Sequence, residues 1–234
     1  MVTEKYMRRT LVVMANAPIP GEVETGLCPP LSPDDAAGIY ESFLMDTLEK
    51  AASVPDTHLV IYYTPDEALS VFREIVPCAS GFLLQDGEST AEKLNYCFEQ
   101  MCEPGVSVVV VGTNSPTLPA RSLELAFDVL ASGEVDVVFG PAHNGGSYLI
   151  GMNTPHPELF SGNQECAPDN VDKCVETAAR EGLGWYLLPK WYTVDGPDDL
   201  KHLTEELSED EIAGHLAMHT LECVSGLAEQ GTLR

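Results

Sequence analysis

Positive charge is scarce in this chain. Twelve Lys and Arg stand against 37 Asp and Glu in 234 residues, a net charge of −25. A surface of that sign repels polyanions, which excludes nucleic acid and anionic membranes as natural partners. It also opposes nucleotide binding unless a metal or a local basic pocket compensates. Paired cysteine motifs are missing too. The seven cysteines, at 28, 78, 97, 102, 166, 174 and 223, include no C-x-x-C and are odd in number. That speaks against a disulfide framework or a structural zinc site and for reduced thiols in a cytoplasmic setting. Cys28 stands apart because it lies in a loop rich in Pro and Gly. No apolar run is long enough to span a bilayer: Leu11–Ala15, after a basic start, has the length of a strand. With no internal repeat, low-complexity tract or linker, one domain over residues 1–234 is expected.

What is present is an alternation of apolar runs and amphipathic stretches. Val106–Val111 has five β-branched residues in six and breaks into Gly112-Thr113-Asn114-Ser115-Pro116. Leu11–Ala15, Leu59–Tyr63, Phe82–Leu84, Val135–Gly140, Tyr148–Gly151 and Trp185–Leu188 read as further strands. Ser32-Pro33-Asp34-Asp35 has the form of a helix start: a capping hydroxyl, Pro at the first position and acids in the first turn. Helices are also expected over Leu94–Met101, Pro119–Leu130 and Asp169–Glu181, with two more after the last strand. The six residues Pro141–Gly146 are too few for a helical crossover, so an antiparallel element is expected there. The order predicts an α/β fold with a mostly parallel sheet covered on both faces.

Loops at the carboxyl ends of strands are where such sheets bind ligands. Four qualify: Asn16–Leu27, Gly112–Pro116, Pro141–Ser147 and Thr193–Pro197. They are rich in Asn, Gly, Ser and Thr and poor in charge. Each polar residue also has a purely structural reading. Asn114 and Asp195 are natural helix caps, and Gly145-Gly146 suits a turn. Glu211, His215, His219 and Cys223 recur at helical spacing, but the pattern lacks the Glu of H-E-x-x-H, and a partly exposed helix face is the simpler reading.

Seven segments, in order, carry a family resemblance: A-N-A-P-I-P-G-E-V-E-T-G-L from Ala15, L-S-P-D-D-A-A from Leu31, F-L-M-D-T-L from Phe43, G-T-N-S-P from Gly112, N-G-G-S-Y-L-I-G from Asn144, H-P-E-L-F from His156 and V-D-G-P-D-D-L from Val194. Over nearly its whole length the chain resembles the radical-SAM/selenodomain-associated transferase 1 group, relatives of molybdenum-cofactor guanylyltransferases. The resemblance implies a three-layer α/β/α, Rossmann-like GT-A fold, that of the nucleotide-diphospho-sugar transferases. It further implies glycosyl- or nucleotidyl-transfer to or from a nucleotide or nucleotide sugar, assisted by Mg²⁺ or Mn²⁺. On that basis Asn114 and Asp195 are the candidate catalytic residues, and Asp195 the candidate metal ligand. Asn16, Pro20, Gly21, Glu24, Thr25, Ser115, Asn144 and Gly145 are candidates for holding the substrate.

Four positions depart from the pattern. The group reads P-G-x-V-K-T-R-L in the first loop, and this chain has Glu24 for the Lys and Gly26 for the Arg. Asn114 replaces the Asp of G-T-D-x-P, and Asn144 the Asp of D-G-G-Y. All four changes weaken a metal–phosphate site in the same sense. A second expectation therefore stands beside the transferase: a non-catalytic descendant that keeps the fold as a binding or regulatory protein. A hydrolase lacks support, since no G-x-S-x-G appears.

Overall fold

The computed structural model describes residues 7–160 and 170–233. Among these residues seven strands form one sheet: β1 (Arg8–Asn16), β2 (Thr57–Thr64), β3 (Gly81–Leu84), β4 (Val106–Val111), β5 (Val137–Pro141), β6 (Ser147–Met152) and β7 (Trp185–Leu187). Their spatial order is β3-β2-β1-β4-β6-β5-β7. Only β6 runs against its neighbours, paired antiparallel to β4 and β5, as the short Pro141–Gly146 connection requires. All six residues of β4 are buried because helices cover both faces of the sheet there.

Among the described residues there are eight α-helices: α1 (Pro33–Ser53), α2 (Leu69–Ile75), α3 (Thr90–Met101), α4 (Ala120–Ala131), α5 (Val171–Glu181), α6 (Pro197–Glu209), α7 (Glu211–Leu216) and α8 (Met218–Glu229). One face of the sheet presents Leu11, Val13, Ile61 and Val109 to Tyr40, Leu44 and Leu48 of α1 and to Phe127 of α4. The other presents Val12, Tyr62, Val108 and Phe139 to Leu94 and Phe98 of α3 and to Cys174 of α5. Helix α1 is buried on a second side as well, where Ile39 and Phe43 meet Leu203 of α6 and Val224 of α8. The sequence starts α1 as expected: the Ser32 hydroxyl accepts from the Asp35 N–H at 3.1 Å, and Pro33 occupies the first turn.

Several expectations need correction. The strands are longer at both ends for β1 and β2, and α2 carries too short an apolar pattern to stand out from the sequence. Asp169 lies outside the described residues, as does Cys166. Helix α5 begins at Val171, with the Asn170 side chain accepting from Lys173 N–H. Cys174 is disulfide-bonded, which departs from the expectation of reduced thiols throughout. Cys28, Cys78, Cys97, Cys102 and Cys223 are free. After β7 there are three helices, not two, because the chain leaves helical geometry at Ala217 (φ −139°, ψ 58°). The break separates Glu211 and His215 on α7 from His219 and Cys223 on α8, so the four share no helical face.

That break is held by buried charge. The carboxylate of Asp46, 2% exposed, accepts from the His219 and Thr220 N–H groups at 3.0 Å each and from the Thr220 hydroxyl at 2.5 Å. One turn on, the Lys50 ammonium donates to the Pro116 carbonyl and, at 3.2 Å, to the Leu216 carbonyl. Burial lowers the pKa of Lys50 to about 8, and the neighbouring Asp46 and Glu49 oppose that shift. Lys50 thus fastens the loop after β4 to the outer helices.

Candidate functional site

The loop after β4 and the strand-like segment 191–195 lie side by side: Val194 N–H donates to the Asn114 carbonyl at 2.8 Å. Below them Ser115, almost fully buried, donates its hydroxyl to the Tyr192 carbonyl at 2.9 Å, and Tyr192 in turn donates to Glu206 of α6. These bonds set Asp195 at the carboxyl end of the sheet, one residue ahead of the helix cap Gly196. The capping acceptor is Asp199, whose carboxylate takes the N–H groups of Asp195 and Gly196 at 3.1 and 3.0 Å. The Asp195 side chain therefore does not cap α6. Asn114 caps nothing either, since α4 starts after Pro119.

Both side chains instead meet each other. The Asn114 amide donates to Asp195 Oδ1 at 2.7 Å. The Asn144 amide donates to Asp195 Oδ2 at 2.8 Å and to the Thr193 hydroxyl at 3.0 Å. Thr193 donates to the same Oδ2 at 2.5 Å. Asn144 Oδ1 accepts from Gly146 N–H at 3.0 Å, so Asn144 also serves the turn that its neighbours Gly145 and Gly146 make. One carboxylate thus sits in a ring of three donors drawn from three separate loops.

The first loop closes on the same carboxylate from the other side. Glu24 takes the left-handed conformation (φ 47°, ψ 37°) at the head of the short 3₁₀ turn Thr25–Leu27. Its pKa is raised to about 7, first by burial and second by the charge of Asp195. Gly26 lies directly against the Asp195 main chain: a Cβ on Gly26 would stand 2.3 Å from the Asp195 carbonyl oxygen. The Arg expected there from the resemblance does not fit this packing. Tyr40 of α1 holds the start of the loop, its hydroxyl accepting from Asn16 N–H at 2.7 Å.

Of the candidates from sequence, Glu24, Asn114, Asn144 and Asp195 come together. Asn16, Thr25 and Gly145 border them. Ser115 is turned inward and is structural. Pro20 and Gly21 form an exposed turn in which Glu22 N–H donates to the Ile19 carbonyl at 3.0 Å. Sequence reasoning did not single out Thr193, although it lies in a loop marked as site-forming, nor Tyr40 or Gln85. The Gln85 amide bridges the ends of β1 and β2, donating to the Ala15 and Tyr62 carbonyls at 3.0 and 2.8 Å. Its Oε1 is the one buried side-chain polar atom without a partner among the described residues. A buried glutamine after a short strand leaves no pattern in sequence.

Beside Asn114 opens a pocket of about 200 Å³ lined by Met14, Thr90, Leu94, Val110, Tyr148 and Ile150. A larger hollow of about 640 Å³ between α6 and α8, lined by Pro30, Leu200, Thr204 and Leu233, receives none of the candidate residues. Among the described residues no three His, Cys, Asp or Glu side chains are grouped as metal ligands. No helix among them is long and apolar enough to cross a membrane.

The fold has solved counterparts. A protein of Desulfovibrio desulfuricans G20, provisionally named a nucleotide-diphospho-sugar transferase, superposes with a TM-score of 0.84 at 25% identity, over 95% of this chain and 96% of that one. A cytidylyltransferase of Leptospira borgpetersenii gives a TM-score of 0.57 at 13% identity, over 97% and 96%. CMP:2-keto-3-deoxy-manno-octonic acid synthetase, solved with CTP, gives 0.55 at 10%, over 87% and 99%. The architecture is thus that of the nucleotide-diphospho-sugar transferases and cytidylyltransferases. No curated protein matches at the level of sequence. A family model does match, over residues 47–164, and the chain belongs to that family, described as "Uncharacterized protein conserved in bacteria (DUF2064)".

Proposed function

We propose that this chain is a protein of the nucleotidyl- and sugar-transferase type whose cleft binds a nucleotide or nucleotide sugar without a divalent metal and has lost metal-assisted transfer. Within its family, the motifs noted above group it with the radical-SAM/selenodomain-associated transferases. The observation that carries the reading is the state of Asp195. Both of its carboxylate oxygens accept from neutral donors, Asn114 on one and Asn144 with Thr193 on the other.

Mg²⁺ and Mn²⁺ select hard, anionic oxygen ligands and bridge them to substrate phosphates. The residues present do not fit such an ion. The two amides direct N–H groups at Asp195, as they must to bond a carboxylate. Glu24, the other acid in reach, is held toward its protonated form. No cationic side chain among the described residues meets this cluster to hold a phosphate in the metal's place. With the Asn114, Asn144 and Thr193 donors already turned on Asp195, what the cleft offers a ligand is hydrogen bonding along the exposed first loop, suited to the hydroxyls of a sugar or ribose. The free thiols at Cys28, Cys78 and Cys223 accord with a cytoplasmic place of action, and the bonded Cys174 speaks against it.

The second reading, an active metal-dependent transferase, rests on Asp195 itself, retained at the strand ends in a fold shared at a TM-score of 0.84. Titration calorimetry with a panel of nucleoside triphosphates and nucleotide sugars separates the two. The expected result is binding that is indifferent to Mg²⁺ and Mn²⁺. Sub-micromolar binding that requires the metal and disappears in Asp195→Ala would establish the second reading instead.

A further inference from the structure

The two edges of the sheet are finished differently. At the β3 edge, the Arg73 guanidinium lies 5.9 Å over the Phe82 ring and sets a charge beside the strand. The β7 edge carries no such guard among the described residues. Trp185, Tyr186 and Leu187 are 40, 41 and 39% exposed, three large apolar side chains in succession on both faces of the strand. The backbone is also open there. The Gly184 carbonyl accepts from Asp136 and Val137 N–H, and Leu188 N–H donates to the Phe139 carbonyl. Alternation then turns the main-chain groups of Trp185 and Leu187 outward, away from β5. An open apolar edge is a template for another strand.

Charge says which strand. In a chain of net charge −25, the eight residues Gly182–Pro189 carry none, so the strand itself sets no like charge against a second copy. Lys190 follows directly; it is exposed and makes no ion pair among the described residues. At the other end of the strand stand Glu134, Asp136 and Glu181 against the single cation Arg180. The Asp136 carboxylate lies at that end, accepting from Gly184 N–H at 2.7 Å. In an antiparallel pairing about a two-fold axis at Tyr186, Trp185 of each copy faces Leu187 of the other. Lys190 of each then lies opposite Gly182 of the other, beside these acids. The register that joins outward main-chain groups also joins opposite charges.

We propose that β7 is a homodimer interface: two copies pair their β7 strands antiparallel about Tyr186 and continue the sheet from one molecule into the next. Tyr186 then meets its own copy over a hollow of about 300 Å³ lined by Asp128, Val129, Ser132, Glu134 and Val135. Such an interface is isologous, each copy giving and receiving the same contacts.

Sedimentation velocity over a concentration series tests this. Wild type is expected to reach twice the 25.3 kDa of one chain. Tyr186→Asp, which opposes two carboxylates at the axis beside Asp128 and Glu134, should weaken the dimer at least about a hundredfold with its circular dichroism unchanged. Lys190→Glu and the double variant Glu134→Lys/Glu181→Lys should each be poor homodimers. Mixed together, they should form a heterodimer, because both charged contacts are restored. A wild-type chain that stays monomeric at about 100 μM overturns the proposal. So does a dimer that Tyr186→Asp leaves intact, or an equimolar mixture that gains no heterodimer.

Discussion

The two sides of the cleft are built in opposite ways. On one, the segments 112–115, 142–146 and 193–196 spend their side chains on one another. Asn114, Asn144 and Thr193 all bond Asp195, and Ser115 bonds Tyr192. On the other, Asn16, Pro20, Gly21 and Glu22 are exposed, and residues 16–22 hold shape through main-chain turns, the packing of Ala17 and Ile19 on the core, and one bond to Tyr40. The committed side resists a new ligand, because any ligand must displace bonds already made to a charge. The open side can take one. Gly26 is where the two sides touch, and it touches by having no side chain.

Breaking that contact should give the largest effect. Gly26→Ala places a carbon 2.3 Å from the Asp195 carbonyl oxygen, a main-chain atom that cannot rotate away. Overpacking of this kind costs about 1–3 kcal/mol, and the upper end is expected here. Urea unfolding should show the loss, with faster amide exchange over residues 20–28. Unchanged stability and exchange would mean that the loop yields freely. Gly26→Arg, which would supply the cation the family resemblance implies, meets the same wall, so restoring that cation requires the first loop to move.

The second effect isolates charge across the contact. Glu24 has a pKa of about 7 in the folded protein against 4.5 as a free side chain. The folded state then holds a proton that the unfolded state has released. Its stabilisation is complete below pH 4.5 and is lost as pH rises to about 7. The full shift corresponds to about 3 kcal/mol, and solvent screening of this half-buried group brings it to about 1–2 kcal/mol. Glu24→Gln should remove that slope between pH 5 and 7 in thermal melts. An equal slope in wild type and variant would assign the pH dependence to other groups.

The same contrast explains what could be read from sequence. The strands themselves, the antiparallel β6 and the start of α1 follow from local pattern: β-branched runs, a connection too short for a helix, and Ser32-Pro33 before two acids. The cluster around Asp195 was legible only as loops near strand ends. That the Asn114 and Asn144 amides turn on Asp195, rather than outward, depends on how loops 81 and 51 residues apart in the chain meet. The expected four-residue face on the last helix failed for a like reason. The bonds from Asp46 that fix the break at Ala217 come from a helix 173 residues away in the chain.

Gly21 sharpens the comparison at the small end. It and Gly26 are both glycines of the first loop, and each is needed for a different reason. Gly26 has ordinary backbone geometry and no room. Gly21 has room, with nothing within 4 Å of the place a Cβ would take, but a φ of +81°. An L side chain in that region costs about 1 kcal/mol in backbone strain, and replacing glycine returns part of it by narrowing the unfolded ensemble. Gly21→Ala should therefore lower stability by less than about 1 kcal/mol and leave amide exchange at Asp195 untouched, since the turn bonds nothing in the cluster. Measured beside Gly26→Ala by the same urea titration, it should be the milder change. A larger loss from Gly21→Ala would show that the exposed turn, and not the contact at Gly26, sets the position of the first loop.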